Sequence, residues 1–486
     1  MLKEIMRKKP LHLFEQKSEL KRVLGKWSLL SLGIGAIIGG GIFTLTGTAA
    51  HDYAGPALAL AFMVAAIGCT FASLCYAEFA SILPVEGSAY AYAYGTIGEF
   101  FAWVIGWNLI LEYMMGATTV AVSWSGYFEK LLHLFDIHLP LWLTNDTVTA
   151  TEKALELGIA APAVAFNLPA LLITWVVTAV LVRGIRESAK ANNIIVIVKL
   201  SAVLFVIFAG VWFIDPANWH PFIPEQIFDA KGQGHFGWDG VITAATIVFF
   251  AYIGFDAVST QASEAINPRK DVPFAIIGSL ILCTALYILV SLVLTGMVKY
   301  DTLDLKAPVA SAFASKGLGW AVFVITMAAV AGLVSVMLVM MLSQTRIFLA
   351  MAKDGLLPNF FSDIHPSFKT PWKSTLLVGG IVSLVAASTP IEKATQMCSM
   401  GTLLAFAMIS GAVLLLRFQA PQLERPYKAP LVYLVAPAGV LFNFWLMTRV
   451  RSDTWKAFLV WSAVGIAVYF LYSWRKSHLG NRISKT

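Results

Sequence analysis

Long apolar runs separated by short polar stretches fill most of the chain. A helix needs about 20 mainly apolar residues to cross a bilayer. Twelve segments meet or approach that length, near 27–50, 56–82, 99–126, 167–184, 189–214, 239–263, 272–297, 318–350, 375–389, 396–417, 430–450 and 455–474. The sixth and eighth read as longer than the hydrocarbon core requires, and the ninth as short. The pattern predicts an all-α polytopic membrane protein. It divides the chain into a polar N-terminal segment (1–26), five helices (27–214), five more (239–417), a last pair (430–474) and a polar tail (475–486).

Composition agrees. Hydrophobic residues make up 58% and charged residues 13%, against roughly a quarter charged in soluble domains. The mean hydropathy is +0.74. The net charge of +7 would point to nucleic acid in a soluble protein. Here the basic residues sit between spans, so they are topology signals and no nucleic-acid partner is expected. With the N-terminus inside, 24 of the 35 Lys and Arg fall on the cytoplasmic side. Cytoplasmic loops carry that excess, so N-in, C-in is predicted, with residence in the plasma or inner membrane. All four cysteines (Cys69, Cys75, Cys283, Cys398) lie in apolar stretches, which fits neither a disulfide framework nor a metal site. The first 26 residues lack the apolar core of a cleavable signal, so the first span is expected to stay in the membrane. The longest external connection, 130–167, holds a formal glycosylation sequon, Asn145-Asp146-Thr147.

Two spans carry helix-breaking sequence. The first has five glycines within nine residues, Gly33 to Gly41, each weakening a helix by about 1 kcal/mol relative to Ala. A break is predicted at Ile37–Gly41; the competing explanation is close helix packing through Gly35 and Gly39. A dinucleotide loop is excluded, because the spacing is wrong and no strand precedes it. The sixth span has Phe249-Phe250-Ala251-Tyr252-Ile253-Gly254-Phe255-Asp256. A second break at Ala251–Gly254 is one reading; a kinked helix with Asp256 held by a structural partner is the other. The two lie five spans apart, so the same helix is interrupted in each half. That is the mark of a midplane site between inverted repeats. Backbone N–H groups at Gly39, Gly40 and Gly41 suit a carboxylate. Carbonyls at Ile37, Ile38, Phe250, Ala251 and Ile253 suit an ammonium. Both together fit the zwitterionic end of an amino acid.

Four passages resemble the amino acid–polyamine–organocation superfamily, and within it the cationic-amino-acid-transporter-like branch. They are Gly33–Phe43; Cys75-Tyr76-Ala77-Glu78-Phe79 with Gly87-Ser88-Ala89-Tyr90; Gly106-Trp107-Asn108-Leu109-Ile110-Leu111; and Phe249–Asp256 continuing to Glu264-Ala265-Ile266-Asn267-Pro268. A fifth, Ala350–Pro358, follows the eighth span. Together they stretch over about two thirds of the chain. The resemblance implies a five-plus-five inverted-repeat fold with two added helices. It implies backbone recognition of the substrate at both breaks, with Phe250 as an aromatic gate. It also implies a glutamate at the start of the third span, here Glu99. The chain departs from the animal cationic carriers at Glu112 and Lys199, which leaves cationic specificity open.

Lys199 lies about ten residues into the fifth span, roughly 15 Å deep at 1.5 Å per residue. Its stem is too short to reach water, and an intramembrane ionisable group is a functional candidate. Some relatives of this fold place a lysine where sodium-coupled members bind the ion. The resemblance therefore implies that Lys199 carries the coupling proton, beside Gly35, Ile38 and Ser335. The alternative is a permanently charged lysine paired with an acid such as Glu112. Glu112 itself either lines a side-chain pocket or is neutralised. Met337, Met340 and Met341 are candidate pocket walls, although ordinary packing explains them equally well.

The eight histidines form no ligand pair, and no Walker motif is present, so neither a metal, a cofactor nor ATP coupling is expected. The expectation is a secondary active importer of L-amino acids, small and neutral or of broad range, whose partners are that substrate, a proton and membrane lipid. A cationic uniporter or exchanger is the alternative, with an amino-acid sensor behind it. An intramembrane enzyme finds no nucleophile–base pair to support it.

Overall fold

The computed structural model describes residues 6–10, 22, 24–85, 87–184, 188–228, 234–305, 307–368 and 370–483. Of the basic residues read as cytoplasmic, Lys3, Lys17, Lys21, Arg186, Lys369 and Lys485 lie outside these, as do the side chains of Lys190 and Arg482.

Each of the twelve apolar segments contains a helix. They are α1 (Lys26–Ile37), α2 (Leu58–Ile82), α3 (Glu99–His133), α4 (Leu168–Arg183), α5 (Ser188–Gly210) and α6 (Gly237–Val248). The rest are α7 (Pro268–Met297), α8 (Gly319–Lys353), α9 (Trp372–Ser388), α10 (Ile391–Gln419), α11 (Val432–Thr448) and α12 (Ser452–Val468). The chain is a polytopic helical membrane protein.

The sixth segment is not the single long helix its length predicts. After α6 come a 3-10 turn at Phe249–Tyr252, an extended Ile253, and a four-residue helix at Ala257–Thr260. In contrast α3 runs seven residues past its predicted end at 126, to His133. The connection after it holds short helices at Leu141–Thr144 and Thr147–Glu156. Asp146 caps the second by accepting from the Val148 and Thr149 N–H groups. The Asn145 amide is buried and donates to the Leu141 carbonyl at 3.0 Å and the Thr144 hydroxyl at 2.9 Å. The sequon's acceptor nitrogen is therefore committed internally. A small antiparallel pair, β1 (Ile227–Phe228) and β2 (Gly234–His235), precedes α6 with Ile227 opposite His235.

Packing explains which faces are apolar. α7 lies along α1 and α2, α3 lies between α8 and α10, α4 runs along α9, and α5 bridges α1 and α8. Large side chains fill the junctions, among them Trp103, Tyr76, Tyr113, Tyr252 and Tyr287. The outer surface is apolar too, with Trp175, Ile197, Ile281, Leu441 and Val460 exposed. Lipid is the only solvent in which that surface is stable.

At the end of the bundle where the segments around Arg7 and Ser477 meet, polar contacts replace apolar ones. Fully buried Glu99 accepts from Arg7 Nε at 2.8 Å and from the Tyr94, Tyr469 and Ser477 hydroxyls at 2.8, 3.2 and 2.5 Å. Lys9 donates to Asp354 at 2.7 Å, and Tyr90 donates to the same carboxylate. The N-terminal segment and the C-terminal tail thus meet on one carboxylate at the head of α3.

Candidate substrate and coupling site

Helix α1 ends because Ile38 turns extended, at φ −71° and ψ 106°. The next intrahelical bond runs from the Phe43 N–H to the Gly39 carbonyl at 3.3 Å. The N–H groups of Gly40, Gly41 and Ile42 stand ahead of it, where a helix start has no internal partners. The second interruption sits at Ile253, extended, and Gly254 at φ +126°. That φ suits glycine, and a β-carbon there would also come within 2.9 Å of the Ala36 backbone. The two interruptions touch. A β-carbon on Gly41 would lie 2.3 Å from Ala251 Cα and Cβ. Three adjacent glycines therefore serve a close approach of backbones as well as a break.

The carbonyls are engaged. The Tyr287 hydroxyl on α7 lies 2.8 Å from the Ile37 carbonyl and 2.9 Å from that of Ala251. The Phe250 carbonyl accepts from the Ile253 N–H at 3.1 Å. Phe250 is buried beside this junction, and the neighbouring rings of Phe249 and Phe255 pack on Phe406.

Lys199 is fully buried, and its ammonium donates to the carbonyls of Gly35 at 2.7 Å and Ile38 at 2.9 Å. The second acceptor is the residue at which α1 breaks. No carboxylate pairs with Lys199 among the described residues, so the pairing with Glu112 considered from sequence is not formed. On α8 the lysine stem packs on Gly332, where a β-carbon would fall 2.9 Å from Lys199 Cε. Ser335, also on α8, donates to the Gly332 carbonyl at 3.2 Å.

Glu112 on α3 is fully buried and neither carboxylate oxygen accepts a hydrogen bond. Thr402, which faces it from α10, spends its hydroxyl proton on the Cys398 carbonyl. Asp256 is partnered: it accepts from the Tyr113 hydroxyl at 2.7 Å and the Gly254 N–H at 3.1 Å. The second interruption and a held Asp256, posed as alternatives from sequence, are both present. Met337, Met340 and Met341 are all buried, and Met340 lies against Gly116 on α3. Sequence reasoning missed Tyr287, Tyr113 and Gly332. An apolar helix carries tyrosine and glycine without periodic signal, whereas Glu112, Lys199 and Asp256 stood out as charges.

A family model described as amino acid permease matches residues 24–470. The chain belongs to the amino acid permease family. This permease is 44% identical to the branched-chain amino acid permease of Bacillus subtilis over 464 residues, 95% of each chain. It is 42% identical to the methylthioribose transporter of the same organism over 484 residues, 99% of this chain and all of that one. It is 39% identical to vacuolar cationic amino acid transporter 2 of Arabidopsis thaliana over 416 residues, 85% of this permease and 62% of the plant protein. Permease and carrier relatives place it among multi-pass cell-membrane transporters of the amino acid–polyamine–organocation superfamily, and not among enzymes.

Proposed function

We propose that this permease imports L-amino acids by alternating access, driven by protons that Lys199 takes up and releases. It crosses the membrane N-in and C-in, with 27–214 and 239–417 as inverted repeats. The observation that carries the reading is the seat of the Lys199 ammonium on the Ile38 carbonyl. A proton lost from Lys199 removes its positive charge and so weakens its hold on the backbone carbonyl at the break. Coupling then needs no long relay, because the proton site and the substrate site share one peptide segment.

The substrate's carboxylate lies over the N–H groups of Gly39, Gly40 and Gly41. Its ammonium is received by carbonyls of Ile37, Ile38, Phe250, Ala251 and Ile253, and Phe250 closes over it. Lys199 works against Gly35, Ile38 and Ser335. Backbone groups read only the shared head group, so the side-chain walls set selectivity. Tight backbone contact at Gly41 favours small neutral substrates, and unpaired Glu112 keeps cationic ones in the panel. The methylthioribose relative supports a second reading, because its match spans both chains from end to end.

Uptake into proteoliposomes tests this. Radiolabelled small neutral, branched-chain and cationic amino acids and methylthioribose are offered with and without an inward proton gradient, and with and without sodium. Accumulation of at least one amino acid only with the proton gradient is expected. Indifference to the gradient removes the coupling, and transport of methylthioribose alone removes the amino-acid reading. Lys199→Ala is expected to bind substrate yet fail to accumulate it; wild-type pH dependence in that variant would clear Lys199 of the role.

A further inference from the structure

The starts of α1 and α7 stand side by side. The Leu24 N–H donates to the Glu264 carbonyl at 3.0 Å, and the Ile266 N–H donates to the Leu24 carbonyl at 2.9 Å. This short parallel bridge fixes Lys26 beside the turn that opens α7. Lys26 Nζ sits 3.8 Å from the Phe274 ring centroid and 5.6 Å from that of Trp27. Those two rings meet edge to face at 5.9 Å. Arg22, Lys26, Arg269 and Lys270 are all exposed and form no ion pair among the described residues. Lys270 is one helical turn from Phe274 and shares its face. Two carboxylates lie near. Glu264 is bound by Arg346 at 2.6 Å, and Asp271 is half-buried in the first turn of α7. The patch stays net positive.

Its upper edge is apolar. Trp27 is 70% exposed and Phe274 36%, and Ile281 follows on the same helix at 65%. The cations therefore border the surface that faces lipid. Aromatic rings with clustered Lys and Arg at a helix end are the recognition chemistry for anionic headgroups. A soluble acidic partner would leave Trp27, Phe274 and Ile281 unused, whereas a phospholipid covers ring and cation together.

We propose that this patch binds one anionic phospholipid, its phosphate held by Lys26 and Lys270 with Arg22 and Arg269 around it, its chains descending past Trp27 and Phe274. The lipid bridges α1, which carries the first break, and α7, which carries Tyr287. Its occupancy restrains the movement of α1 against α7 and so sets the rate of transport.

Native mass spectrometry of delipidated protein, titrated with phosphatidylglycerol or phosphatidylcholine, tests the binding. The full chain is expected to retain phosphatidylglycerol preferentially. Lys26→Ala/Lys270→Ala is expected to lose about fivefold of that preference per lysine, while Lys26→Arg/Lys270→Arg keeps it. Equal retention of both lipids by the wild type, or an unchanged preference in the alanine pair, overturns the site. So does displacement of the lipid by millimolar inorganic phosphate, which would make it a phosphate site. The effect on rate rests on the transport reading and is read separately, as uptake in vesicles with and without phosphatidylglycerol. Preference without any uptake on any substrate would indict that reading and leave the lipid site standing.

Discussion

Gly41 has no room for a β-carbon, and Lys199 has no room for a thicker α8. These two contacts decide whether the interruptions meet and whether the ammonium reaches its carbonyls. Gly41→Ala would put a methyl 2.3 Å from Ala251, so the backbones must part. Overpacking of a tight contact costs roughly 1–3 kcal/mol; a folded, monodisperse protein with uptake down at least tenfold is expected by size-exclusion chromatography and transport assay. Gly332→Ala pushes on the Lys199 stem at 2.9 Å. It is expected to weaken proton-driven accumulation more than binding, in the pattern of Lys199→Ala but milder. Tyr287→Phe strips a hydroxyl from two buried carbonyls. Leaving buried acceptors unmet costs about 1–3 kcal/mol, so a lowered melting temperature and a roughly tenfold fall in uptake are expected. Gly41 and Lys199 were legible in the sequence, one as part of a glycine cluster and the other as a charge in an apolar run. Ala251 as the partner of Gly41 was not, since nothing in a residue's identity says what packs on it from five spans away.

Helices were the easiest elements to read, because bilayer thickness fixes their length and apolar runs reveal it. The interruption of the sixth was read from Gly254 and Asp256, but its extent was not, since 3-10 turns have no sequence period of their own. The junction of the two termini was invisible beyond Glu99. Arg7 comes from the N-terminal segment and Tyr469 and Ser477 from the C-terminal one, and they join Tyr94 at Glu99 only in the fold. That junction makes a directional prediction. Arg7→Ala leaves the fully buried Glu99 without its counter-ion, whereas Glu99→Gln frees Arg7, about 10% exposed, to turn toward water. Breaking a buried pair costs about 3–5 kcal/mol when the remaining charge cannot escape. Arg7→Ala is therefore expected to lower the detergent-solubilised melting temperature more than Glu99→Gln. The reverse order would show that the hydroxyls alone satisfy Glu99.

The orientation of the whole bundle is open to a simple chemical test, because all four native cysteines are buried and free. Background labelling by a membrane-impermeant maleimide should be low. Glu152→Cys, on the helix between α3 and α4, is expected to react from outside intact cells, and Lys476→Cys only after permeabilisation. Reaction of both from the same side would overturn the N-in, C-in arrangement. A last consequence concerns Tyr287. One phenolic proton is shared between the carbonyls of Ile37 and Ala251, the groups proposed to receive the substrate's ammonium. On that reading the tyrosine would stand in for the ammonium and would let the two interruptions close on nothing. A carrier that cannot close empty is an obligate exchanger, bound to take one molecule back for each it delivers. On the proposed reading, the surrogate would let the unloaded protein reset alone, which is what net accumulation requires.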